Sequence, residues 1–135
     1  MGITELKKIA KYAGMREDLV QAGGGNASVK VSADEMLIKA SGYQMAELEE
    51  GFGYASVNYP KIAAFLTAHE TDMLTEEEGA VALQSAVYEG ERPSIETFLH
   101  AITGRVTLHT HPMVVNVLLS TQQRLETLHS LFPEA

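Results

Sequence analysis

The sequence predicts an α/β domain, and three observations lead there. Apolar residues recur at helical spacing near the amino terminus and again in the second half of the chain. Between Ala27 and Lys39 they alternate with polar residues instead, and clusters of Gly, Asn and Ser mark the passages from one period to the other. A chain of 135 residues, 45% of them hydrophobic, is long enough for one domain with a core of its own.

Taken in order, Leu6, Ile9, Ala10 and Ala13 repeat at helical spacing behind Thr4, which suits an N-cap. Residues 4–14 therefore read as an amphipathic helix packed against a sheet. Ala27, Val29 and Val31 then alternate with Ser28 and Lys30, residues 32–35 have turn composition, and residues 36–39 resume an extended run. The pair is a β-hairpin entered through a glycine-rich segment. An extended piece over residues 54–57 leads to Asn58 and Pro60, which suit the start of a helix carrying Ile62, Ala63, Phe65 and Leu66. Thr75 and Glu78 have the capping-box form, Val81, Leu83, Ala86 and Val87 follow as apolar helix positions, and Gly90 is the expected stop. Ser94 is the expected cap of "IETFLHAI", which Gly104 ends. Residues 105–111 read as a strand feeding a helical run from Pro112 onward.

Charge and composition narrow the function. Ten basic residues against eighteen acidic ones give a net charge of −8, so the clustered cationic surface that neutralises phosphates in nucleic-acid binding is not expected. No apolar run approaches the roughly 20 residues of a membrane span, and the amino terminus lacks the apolar core of a signal peptide. A cytoplasmic protein without nucleic-acid or membrane partners is expected. With no cysteine in the chain, a transition metal would have to be held by imidazole and carboxylate, which directs attention to the five histidines.

Two of these stand in "LHTHP". Side chains two apart on a strand share a face, so Arg105, Thr107, His109 and His111 point one way and both imidazoles can reach one point. The spacing fits a metal pair, and it equally fits an exposed polar strand with incidental histidines. In "RPSIETFLH", Glu96 falls in the first turn of a helix that leads into the histidine strand. A carboxylate there is within range of a metal, and it is also what a helix N-terminus favours without one. His100 follows one turn later and is left outside the site. In "GGGNASVK", residues 23–25 and Asn26 precede a strand. Such glycines let backbone amides approach an anion, although no helix follows as in nucleotide-binding loops, and a tight turn is the plainer account. "KASGY" adds Ser41 and Gly42 on a second loop.

Together and in this order, "GGGNASVK", "KASG", "RPSIETFLH" and "LHTHP" resemble the class II aldolase/adducin family, over most of the chain from about Leu19 to the helix after His111. The resemblance is closest to the aldolase part of proteins that fuse a rhamnulose-phosphate aldolase-like domain to a dehydrogenase. It implies a three-layer fold with a central mixed, largely antiparallel sheet flanked by helices. It implies that His109 and His111 match two of three zinc histidines and that Glu96 matches the catalytic acid/base. Gly25, Asn26, Ser41, Gly42 and Ser94 match the positions that hold the substrate phosphate. The implied activity is zinc-dependent, reversible aldol cleavage of a ketose 1-phosphate or similar sugar phosphate, with zinc on the hydroxyl and carbonyl oxygens stabilising the enediolate. Homo-oligomers are implied as well.

Two departures bear on this. Ile95 and Gly24 stand where hydroxyl residues are common in the family, which weakens the phosphate site. The third zinc histidine lies in a later strand, and His129 falls in a helix where the family has no ligand. Residues 1–135 are therefore expected to be a single domain incomplete at its C-terminal end, the third ligand lying past residue 135 and this stretch inactive alone. The alternatives are an epimerase or dehydratase of the same family and a non-catalytic, adducin-like assembly module.

Overall fold

A computed structural model of the chain describes residues 2–69 and 75–133. One sheet holds five strands, β1 (Asn26–Lys30), β2 (Glu35–Lys39), β3 (Tyr54–Asn58), β4 (Val87–Gly90) and β5 (Val106–His109), in the order β4-β3-β2-β1-β5. The expected α/β architecture is found, and every described strand pairing is antiparallel. The helices are α1 (Gly2–Gly14), α2 (Tyr59–Ala68), α3 (Glu76–Ser85), α4 (Thr97–Ile102), α5 (Met113–Leu119) and α6 (Arg124–Leu131).

The alternation of β1 and β2 sets the layers. Ser28 opposes Ile38 and Val29 opposes Leu37, so the two faces of the hairpin carry different side chains. On one face, Ala27, Val29 and Leu37 pack against Leu6, Ala10 and Ala13 of α1. On the other, Met36, Ile38, Ala55 and Val57 pack against Ile62 of α2, Leu83 of α3 and Ala101 of α4. The large buried side chains, Leu6, Met36 and Ile38 among them, each contribute about 1.5–3 kcal/mol by leaving water.

Local signals hold where hydrogen bonds can be traced. Asn58 Oδ1 accepts from Lys61 N at 2.8 Å to start α2. Thr75 and Glu78 close both halves of the capping box of α3, at 3.2 and 2.9 Å. Three expectations need correction. The first helix begins at Gly2, so Thr4 lies inside it and caps nothing. The third helix ends at Ser85 rather than Gly90, because residues 87–90 leave it to pair with the open edge of β3, Val87 opposite Val57 and Gly90 opposite Ala55. Strand-forming Val87 and Tyr88 satisfy their backbone there, and Gly90 (φ +92°) fits because a Cβ would lie 2.5 Å from Tyr54 O. The expected strand over 105–111 spans only Val106–His109.

Among the described residues, no strand pairs with the other edge of the sheet, that of β5. Val106 and Leu108 on β5 are each 40% exposed, and α5 leaves Met113, Val114, Val115 and Val117 exposed as well. No helix among the described residues is long and apolar enough to cross a membrane.

Candidate functional site

The site lies where β1 begins and β5 ends. Asn26 stands opposite His109 and Ser28 opposite Thr107, so these four side chains face the same layer. β5 stops at His109 because its partner β1 gives out at Gly25, whose φ of +72° turns the chain away. His111 lies two residues past the strand. Its N–H donates to Leu19 O at 2.8 Å, and this crossing, not the strand period, brings the second imidazole alongside the first, with ring centroids 4.9 Å apart.

Glu96 comes from the helical layer that these side chains face. It occupies the N-cap position of α4 instead of the first turn, and Ser94 does not cap the helix with its side chain. The carbonyl of Ser94 accepts from Thr97 N at 3.0 Å and from Thr97 Oγ1 at 2.6 Å, a turn that leaves the Ser94 hydroxyl free to meet β1. Asn26 Nδ2 donates to Ser94 Oγ at 2.7 Å and to Glu96 Oε2 at 2.8 Å. The second carboxylate oxygen, Oε1, is 3.2 Å from His109 Nδ1. The two are not aligned for a hydrogen bond, and His109 Nδ1 is buried without a partner. One donor atom from each of Glu96, His109 and His111 lies within 4.8 Å of the other two. Two imidazoles and a carboxylate are a donor set for zinc and related divalent ions, and a buried ring nitrogen without a partner beside a carboxylate is what such an ion would satisfy.

Glycines make room for this arrangement. A Cβ on Gly24 would lie 3.0 Å from His111 Nδ1, so the residue that departs from the common hydroxyl also leaves space for the imidazole. A Cβ on Gly25 would lie 2.8 Å from Met45 Sδ and 3.0 Å from His109 O, on a backbone with positive φ. Gly25→Ala is therefore expected to destabilise the fold by about 1–3 kcal/mol. Urea unfolding checks this, and a loss below a few tenths of a kcal/mol would show that the turn relaxes freely.

The remaining predicted positions gather at the same end of the sheet. An isolated bridge joins Ala40 to Pro93, and Ser41 N donates to Arg92 O at 2.9 Å, so the Ser41-Gly42 loop runs beside Ser94. Gly42 holds φ +88° with open space around it. Lys39, which was not among the predicted site residues, is buried between these loops. Its Nζ donates to Tyr43 O at 2.7 Å, Ala40 O at 3.3 Å and Gly23 O at 3.5 Å. Burial pulls its pKa down, and the nearby Glu96 carboxylate pushes it back up.

His100, left outside the site in the sequence analysis, is a structural residue of the core. It is fully buried, its Nδ1 lies 2.7 Å from Ser28 Oγ, and its Nε2 has no partner. Burial pushes its pKa down to about 4. Helical spacing from Glu96 placed it on the right side of α4. Only the sheet below it explains its burial.

A family model, the class II aldolase and adducin N-terminal domain, matches residues 5–134. The chain belongs to the class II aldolase and adducin family. Its fold is similar to that of the N-terminal class II aldolase domain of a conserved protein from Thermoplasma acidophilum, at 25% identity and a TM-score of 0.79, covering 96% of this chain and 64% of that one. It is also similar to YgbL of Klebsiella pneumoniae, named as a candidate aldolase, epimerase or decarboxylase, at 17% identity and a TM-score of 0.58 over 90% of this chain and 51% of that one. No curated protein sequence matches. The chain thus spans between half and two-thirds of the length of these two solved structures.

Proposed function

We propose that this domain belongs to an enzyme that cleaves and forms a carbon–carbon bond beside the carbonyl of a ketose 1-phosphate or similar sugar phosphate. Zinc held by His109 and His111 and proton transfer by Glu96 are the core of the reading. The observation that carries it is the convergence of one donor atom each from Glu96, His109 and His111 within 4.8 Å. When bound, the ion supplies Lewis-acid stabilisation of the charge that develops as the bond breaks. Glu96, with Oε2 held by Asn26 and Oε1 turned toward His109, moves the proton. Loop amides and hydroxyls at Gly25, Ser41, Gly42 and Ser94 hold the phosphate, and the Lys39 ammonium behind them supplies positive charge.

The apolar side chains exposed on β5 and α5 support a domain completed by further residues, which would bring a third zinc histidine, and a cytoplasmic homo-oligomer belongs to the same reading.

The test is exchange of the C3 hydrogen of dihydroxyacetone phosphate with deuterium oxide, followed by NMR on the natural full-length protein loaded with zinc. Exchange removed by a chelator, and slowed about 100-fold or more in Glu96→Gln, is the expected result. Zinc-loaded protein that catalyses no exchange would instead favour the non-catalytic, adducin-like module.

A further inference from the structure

One arginine of the chain keeps its donors unengaged, and it stands beside the loops assigned to the phosphate. Of the four arginines, Arg16 pairs with Asp18, Arg105 pairs with Glu5, and Arg124 donates to Thr121 O at 3.4 Å. Arg92 is exposed and joins no ion pair among the described residues. It borders the groove between its own segment and α3, where Glu76 and Glu77 stand, and pairs with neither.

The backbone gives Arg92 its place. Ala40 is bridged to Pro93, and Ser41 N donates to Arg92 O at 2.9 Å. This antiparallel register sets Arg92 directly across from Ser41, and opposed residues of such a pair carry their side chains on one face. Ser94 follows two residues later, beyond the bridged Pro93, and the alternation of an extended chain returns it to the same face. Arg92 thus flanks both hydroxyl residues of the proposed phosphate site.

The rest of that site is short of donors. Ile95 has no hydroxyl, and its side chain turns toward α3, with Cδ1 3.9 Å from where a Cβ on Gly79 would lie. The Lys39 ammonium is already shared among the carbonyls of Tyr43, Ala40 and Gly23. A phosphate dianion approaching a chain of net charge −8 needs a cation at the point of arrival. A guanidinium supplies the charge and a planar fork of N–H donors that matches two phosphate oxygens at once.

We infer that Arg92 is a further ligand of the substrate phosphate, acting from beside Ser41 and Ser94 and replacing with a charged donor the hydroxyl that Ile95 lacks. The inference rests on the reading of these two loops as the phosphate site.

The test is the affinity of the natural full-length, metal-free protein for inorganic phosphate, read by phosphorus-31 NMR at fixed ionic strength. Arg92→Gln is expected to weaken binding about tenfold or more, the effect of losing hydrogen bonds from a charged group. Arg92→Lys keeps the charge without the fork and should fall between wild type and Arg92→Gln. Arg124→Gln removes the same charge from α6 and should change the affinity less than about twofold, because salt screens distant surface charges. Thermal unfolding without phosphate should leave all three variants near wild type, since the contact of Arg92 to Ser41 is made by its carbonyl. Phosphate affinity in Arg92→Gln within about twofold of wild type, or no lower than in Arg124→Gln, would overturn the inference, as would wild-type protein that binds no phosphate. Ser41→Ala separates the two readings. Affinity lost in Ser41→Ala but kept in Arg92→Gln removes Arg92 alone, whereas affinity kept in both places the phosphate elsewhere and removes the loop assignment with it.

Discussion

If the proposed zinc site is right, His109→Ala is expected to weaken zinc binding by about 100-fold or more. Groups that only orient metal ligands cost about 10–100-fold when removed, so loss of a direct donor belongs at or beyond the upper end. What remains is His111, held by its N–H to Leu19 O, and Glu96, still bonded to Asn26, and two donors do not enclose a tetrahedral ion. The variant should fold. The His109 side chain is 31% exposed, and the strand it ends keeps its pairing with β1. Competition with a chromophoric chelator measures the affinity, and thermal unfolding without metal checks the fold. Wild-type zinc affinity in this variant would remove His109 from the metal site.

The second large effect is a pH dependence of stability that needs no metal. Burial lowers the pKa of His100 from 6.5 to about 4, so the folded protein holds it neutral. Above about pH 6.5 neither the folded nor the unfolded chain binds a proton there, and the full stability is present. As the pH falls from 6.5 toward 4, the unfolded chain takes up a proton that the folded chain refuses, and stability drops. Over that window the loss approaches about 3 kcal/mol, at 1.36 kcal/mol per pKa unit. Below the folded pKa the contribution is flat. His100→Asn keeps a polar atom for Ser28 and removes the titration. Urea unfolding of both proteins at several values between pH 7 and 4 should give a steeper fall for wild type, and parallel curves would mean that His100 is charged or solvated in the fold. Carboxylates that titrate in the same range do so in both proteins and leave the difference intact.

Much of the secondary structure was legible along the chain. The alternation from Ala27 to Lys39 gave the hairpin, and Thr75 with Glu78 gave the start of α3, because strand faces and helix caps are decided among neighbouring residues. β4 was not legible. Val87 continues an apolar helical pattern, and its strand conformation comes from the open edge of β3, thirty residues earlier in the chain at Val57. The start of α4 was misread for a similar reason. Ser94 has the composition of a cap, but its hydroxyl is engaged by Asn26 from the sheet, so the turn closes through its carbonyl.

The candidate site divides along the same line. The order of the four motifs pointed to the family and to Glu96, His109 and His111, since residue type and local spacing are written in the chain. That they converge was expected from the sequence, but the contacts that bring them together were not. The approach of His111 depends on Leu19 and on the bare backbone of Gly24, the setting of Glu96 on Asn26, and the burial of Lys39 and His100 on loops and strands distant in sequence. Periodicity, caps and turns use hydrogen bonds that span a few residues and so can be read locally. A donor set drawn from three segments exists only once the β1–β5 ladder and the α4 layer have paired.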